Sequence, residues 1–196
     1  MKQLPSPVYG GDIFYHYGVV KHIYDGNSPL ENSQYLGEGA HYPWLMHMFV
    51  AYLAKVTFTS PDKIALVFPA VITLLSGVVA WLLARKLFGN EALSLAFTAL
   101  FTAGIMVPAL TATSFTILVI FPLFVLLAFY HSDTYLKAVF VGLALGLVGL
   151  SHIAGFAAAI LFLLLHSLYL QFTKQTALGK EILRLCIIFA IGGLIA

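Results

Sequence analysis

Asp12 and His16 lie four residues apart in the run DIFYHYGVVKHIY, which reads as a helix over Asp12–Tyr24. That spacing puts a carboxylate and an imidazole one turn apart on a single face, with Ile13, Tyr17 and Val20 as a neighbouring apolar stripe. A carboxylate there can remove a proton from a hydroxyl as a general base. It can equally cap the helix by accepting a backbone N–H. His16 could orient that carboxylate, hold a phosphate oxygen as an imidazolium, or ligate a metal with Asp12. A pair alone is not a metal site, because three or four ligands are needed. The plain alternative is a surface histidine with a local hydrogen bond. His41 and Tyr42 lie just before a second helical stretch, whereas His47 inside it is expected to pack at an interface.

His152 sits between two apolar runs, in Ser151-His152-Ile153-Ala154-Gly155. An ionisable residue at the end of a membrane span is a functional candidate by default, and the bland reading is a histidine that caps the fourth span. His166 lies about four turns further along the next run, too far to share a site with it.

These groups need elements to position them, and composition says which kind. The chain is 61% hydrophobic and 9% charged, more apolar surface than a soluble domain of this length hides. A net charge of +2 with scattered Lys and Arg offers no surface for nucleic acid. The single cysteine, Cys186, rules out an internal disulfide and a Cys-based metal site. The opening residues lack the apolar core of a signal peptide. The expected class is all-α: a polytopic transmembrane helical bundle with exterior amphipathic surface helices.

A span needs about 20 apolar residues. Ile64–Ala84, Ala92–Leu110, Phe115–Tyr130, Tyr135–Leu150 and Ile153–Phe172 are read as five spans, the third short and interrupted by Pro122. A sixth starts near Ile182 and is cut by the chain end. Residues 64–196 thus form the bundle. Residues 1–63 form an exterior segment that holds five of the eight acidic residues and four of the seven histidines. Within it, Trp44–Phe58 reads as a second surface helix, with Trp44, Tyr52 and Phe58 suited to the headgroup region. Arg85-Lys86, Lys137, Lys174, Lys180 and Arg184 fall in alternate loops, which directs those loops to the cytoplasm. An exterior leading segment then calls for a span upstream of it, so the chain is expected to be a piece of a longer protein. Gly142, Gly146 and Gly149 with Ala144 make a small-residue face for close helix packing.

The run Tyr9-Gly10-Gly11-Asp12, then Tyr15-His16, Ile23 to Gly26, Pro29, His41-Tyr42-Pro43 and His47, with a span ending Arg85-Lys86-Leu87-Phe88-Gly89, resembles the GT-C superfamily of integral-membrane glycosyltransferases. These include the dolichyl-phosphate-mannose mannosyltransferases. The resemblance covers roughly residues 8–110, and the later spans only by topology. It implies a lipid-linked sugar donor on a polyprenyl phosphate, an exterior loop with two surface helices, and Asp12 as the family's acidic residue after the first span. His16, His41, Tyr42 and His152 would then shape the phosphate and sugar site. One departure stands out. Many members carry a second acidic residue in the next exterior loop, and Pro108–Ser114 has none. A divalent metal therefore stays open, and no other cofactor is called for. The expected partners are membrane lipids, the donor and an unspecified acceptor. A multi-span transporter, which would line a path with charged or broken helices at mid-membrane, and a non-catalytic membrane assembly subunit are the alternatives.

Overall fold

The computed structural model describes residues 12–32, 44–104, 115–129 and 135–196, with the backbone alone at Asp12, Ile13, Gly104 and Phe129. The regular structure of these residues is helical. In order they form α1 (Asp12–Tyr24), α2 (Leu45–Val56), α3 (Pro61–Phe88), α4 (Glu91–Gly104), a π-helical turn (Thr116–Ile120) leading directly into α5 (Phe121–Phe129), α6 (Tyr135–Ser151), α7 (Ile153–Phe172) and α8 (Leu178–Ile195). Two of them, α3 and α7, are long and apolar enough to cross a membrane.

Local chemistry explains the boundaries. Helix α3 starts three residues before the apolar run, because Ser60 is extended, Pro61 takes the first turn and Asp62 faces the positive end of the helix dipole. The π-helical turn comes just before Pro122. Proline has no N–H for the carbonyl four residues back and its ring crowds that carbonyl, so the turn widens and Phe121 N–H reaches back to Thr116. Pro122 therefore reshapes the third apolar run without ending it. Between α6 and α7 only His152 is extended (φ −167°, ψ 127°), so the reversal is abrupt.

Two cores organise the packing. The first joins α1, α2, the first half of α3 and the π-helical turn through Val20, Ile23, Met46, Val50, Phe68, Ile72 and Phe115. The second joins α5, α6, α7 and α8 through Phe124, Leu145, Leu163 and Ile188. Helices α6 and α8 run parallel at very close approach. A β-carbon added at Gly142 would stand 2.9 Å from Ile191 Cβ, and one at Gly146 would stand 2.5 Å from Ile195 Cβ. The expected small-residue face therefore has a definite partner.

The start of α8 differs from the sequence reading. The helix begins at Leu178, four residues before Ile182, and spans 18 residues. Lys180 and Arg184, read as loop cations, lie inside it. Arg184 is buried, with Nη2 2.5 Å from Glu181 Oε1 and Nε 3.0 Å from Oε2. The Ser167 hydroxyl on α7 also donates to Glu181. Neutralisation within this trio lets a charged first turn enter the bundle, which counting charges as loop markers does not foresee.

Candidate functional site

The candidate site is the layer made by α1 and α2 at one end of the longer helices. On α1, His16, Val20 and Ile23 are buried, at offsets of four and three residues, the spacing of one helix face. On α2 the buried set is Met46, His47, Val50, Ala51 and Ala54. The two faces meet, and each brings a histidine to the contact. His16 Nδ1 and His47 Nε2 are 2.8 Å apart, with ring centroids at 5.0 Å and ring planes 24° apart. Tyr15 packs edge-on against His16 at 5.6 Å.

A separation of 2.8 Å between two ring nitrogens requires one proton between them, one ring donating and the other accepting. The pair therefore couples the tautomers of both rings. Protonating both facing nitrogens would set two N–H groups against each other. Such a pair can hold or pass a proton while staying in place, and it fixes the orientation of the ring one turn beyond Asp12.

Around the pair, polar groups tie α1 to its neighbours. Tyr17 donates its hydroxyl to Asp62 Oδ1 at 2.5 Å, joining α1 to the first turn of α3. Burial, reinforced by the hydrogen bond to this carboxylate and its charge, pushes the Tyr17 hydroxyl up to about 12. Burial also raises Tyr15. Lys21 is exposed and bonds Asp25 at 2.8 Å, and that hydrogen bond raises its ammonium. Lys55 Nζ sits 5.9 Å above the Tyr24 ring and 5.8 Å above that of Tyr52, within cation–π range.

The residues singled out from sequence fare differently. Asp12 opens α1 and its side chain lies outside the described ones; His41 and Tyr42 fall outside the described residues altogether. His16 is buried in the α1–α2 contact, so it is not a surface histidine, and it replaces Tyr17 in the buried stripe. His47, read as a packing residue, is its direct partner. The signal available in sequence was its position beside Met46 and three residues before Val50, on the face that α2 buries.

His152 occupies the N-cap position of α7, half-buried, and its side chain makes no capping hydrogen bond. Its N–H bonds Val148 O at 2.9 Å, and its carbonyl accepts from Phe156 at 3.0 Å. The junction belongs to the same end of the molecule as the histidine pair. A β-carbon at Gly155 would stand 2.7 Å from Thr116 Cγ2, so the first turn of α7 lies against the π-helical turn. The preceding Phe115 stacks on Phe49 of α2 at 5.6 Å and packs on Phe68 of α3 at 6.3 Å. His166 is buried further down α7, stacked on Phe162 at 5.8 Å. Fourteen positions of helix separate it from His152, about 21 Å.

Among the described residues no group of three His, Cys, Asp or Glu could hold a metal ion. No protein-family model and no solved structure matches the chain. Over 90 residues, 46% of this chain and 67% of the relative, it is 37% identical to the uncharacterized protein MJ1080 of Methanocaldococcus jannaschii. At that identity and coverage, the chain belongs to the same family as this archaeal protein.

Proposed function

We propose that the protein is a multi-pass membrane glycosyltransferase of the GT-C type, moving a sugar from a polyprenyl-phosphate donor to an acceptor on the exterior side. The observation that carries this reading is the buried His16–His47 pair, set one helical turn beyond Asp12 in a polar-aromatic layer at the end of an apolar bundle. A lipid-linked donor keeps its tail in the membrane and its phosphate at the surface, so its chemistry needs polar groups held at such a boundary. The relative's name assigns no activity and leaves the question to geometry.

Side chains that face outward support a bilayer as the surrounding medium. Leu74 on α3 is 70% exposed and Leu100 on α4 is 75% exposed; Phe140, Leu165 and Tyr169 also point away from both cores. Large apolar side chains exposed on four helices call for an apolar cover. Arg85, Lys86, Lys137 and Lys174 lie at the helix ends away from the α1–α2 layer, which suits a cytoplasmic face there. In this reading Asp12 takes the acceptor proton. His16, His41, Tyr42 and His152 bind the phosphate and sugar, and His47 holds His16 in place.

A second reading, a transporter, draws on the buried Glu181–Arg184–Ser167 trio, because buried charge inside a bundle is expected of a transport path. The trio lies in the first turns of α8, near one end of the bundle rather than at its middle.

One assay separates the readings. The purified protein in vesicles is given a panel of polyprenyl-phosphate sugars and an acceptor mixture, and Asp12→Asn is run beside it. Asparagine keeps the size and the capping ability of aspartate but cannot take a proton. Transfer should fall by about 10²–10⁴-fold. No transfer from any donor, or activity within a few-fold of wild type in Asp12→Asn, would refute the enzyme or this role for Asp12 respectively.

A further inference from the structure

Three polar contacts hold α1 to its neighbours. Tyr17 bonds Asp62 on α3 at 2.5 Å, Lys55 Nζ on α2 bonds Ile23 O at 3.4 Å, and His16 meets His47 at 2.8 Å. Only the last joins two groups that both titrate near neutral pH.

The pair has four ring nitrogens, two facing each other and two turned away. One proton on the facing nitrogens makes the bond, whichever ring owns it. A neutral pair holds one more proton on an outward nitrogen, and a pair with one positive charge holds two. That first charge strengthens the bond, because an imidazolium then donates to an imidazole. The second charge can only go onto a facing nitrogen. Two N–H groups then meet, and the bond is lost.

The surroundings do not favour a second charge. His16 is 3% and His47 0% exposed, so water solvates neither ring well. On α1 and the turn after it, Lys21 bonds Asp25, His22 lies 3.9 Å from Glu31, and burial keeps the protons on Tyr15 and Tyr17. Asp12 opens the helix one turn before His16. Helix α2 adds Lys55, and the first turn of α3 adds Lys63 and the Asp62 that Tyr17 engages. Arg85 and Lys86 close α3, Tyr135 and Lys137 open α6, and His152 follows it. The described carboxylates of these elements therefore have other neighbours, while Lys55 and Lys63 add positive charge.

We propose that the His16–His47 contact is a proton-operated latch, in which one charge locks α1 to α2 and a second charge releases it. Release moves the start of α1, and with it Asp12, away from α2. The latch requires neither the bilayer nor the activity proposed above. The open form binds one proton more than the closed form. The contact is therefore kept at neutral pH and lost as pH falls, the open-to-closed ratio rising about tenfold per pH unit below about 6.5.

Distances between spin labels on α1 and α2 test this in the full chain. Gly18→Cys and Val56→Cys carry the labels on a Cys186→Ser background. A β-carbon at Gly18 meets nothing within 4 Å, and Val56 is exposed. At pH 7.5 one short distance is expected; towards pH 5 a longer one should replace it with the slope given. Two variants remove the second proton in different ways. His16→Leu/His47→Leu has no ring to charge. His47→Gln offers a carbonyl to a protonated His16 and keeps the bond. Both should stay closed at pH 5, and should one fail to fold the other decides. His22→Gln should open as wild type does. A wild-type distance that does not change down to pH 5 would overturn the proposal. So would acid opening that persists in the folded variants, or that disappears in His22→Gln, because another group would then be the switch.

Discussion

Two buried imidazoles with one proton between them bind α1 to α2 more specifically than apolar contact alone would. Removing one leaves the other's facing nitrogen without this partner, whereas removing both leaves no such group behind. Breaking a buried hydrogen bond on one side costs about 1–3 kcal/mol, and replacing both partners by apolar groups can be nearly neutral. His47→Leu alone should therefore destabilise the protein by roughly that amount, and His16→Leu/His47→Leu should recover much of it. Thermal unfolding of the three variants in one detergent checks this; additive single effects would mean that the rings do not act as a pair. Tyr17 gives a pH-dependent counterpart. Its hydroxyl is raised from 10.0 to about 12 in the folded chain. The protonated form is therefore favoured on folding. Its contribution is complete below pH 10 and is lost as pH rises through about 12. Stability measured across that window should fall in wild type and fall less in Tyr17→Phe. Equal slopes would remove the Asp62 contact as a stabilising link.

Elements were easier to read from sequence than the contacts between them. Asp12–Tyr24 and Ile153–Phe172 have the bounds their apolar periodicity implied, because local pattern and burial agree there. Gly142 and Gly146 announced close packing, but not that the partner would be α8. The His16–His47 contact joins residues 31 apart in sequence, and no local spacing encodes it. Reading Arg184 as a loop cation fails for a related reason: a charge marks a loop only while it is unpaired, and its pairing with Glu181 is invisible until α7 and α8 are placed. That trio makes its own prediction. Arg184→Leu strands Glu181 in the bundle and should cost about 3–5 kcal/mol, whereas Glu181→Leu/Arg184→Leu should cost far less, because apolar replacement of both members of a buried ion pair is often neutral or stabilising. If the double variant is as unstable as the single one, the charges contribute something other than mutual neutralisation, and the transporter reading gains.

The whole molecule is polarised along its helices. One end collects the histidine pair, the Tyr17–Asp62 bond, Phe115 and the His152 junction. The other carries Arg85 and Lys86 at the close of α3, Lys137 in the first turn of α6 and Lys174 after α7. Moving Arg184 from a loop to a buried pair removes one cation from the topology argument, and the remaining ones still fall at a single end. Basic residues in short loops stay cytoplasmic, so the polarity fixes which end faces out if the helices cross a bilayer. A single inversion would put every candidate site residue on the opposite side of the membrane from the donor proposed above. Cys186 is the chain's only cysteine, so Cys186→Ser clears the background for labelling. Asn27 follows α1 and Asn90 lies between α3 and α4, and both are exposed. In sealed, oriented vesicles or intact cells, Asn27→Cys should react with a membrane-impermeant maleimide from outside. Asn90→Cys should react only after the membrane is opened. The reverse pattern would invert the protein, and labelling of both from one side would mean that α3 does not cross.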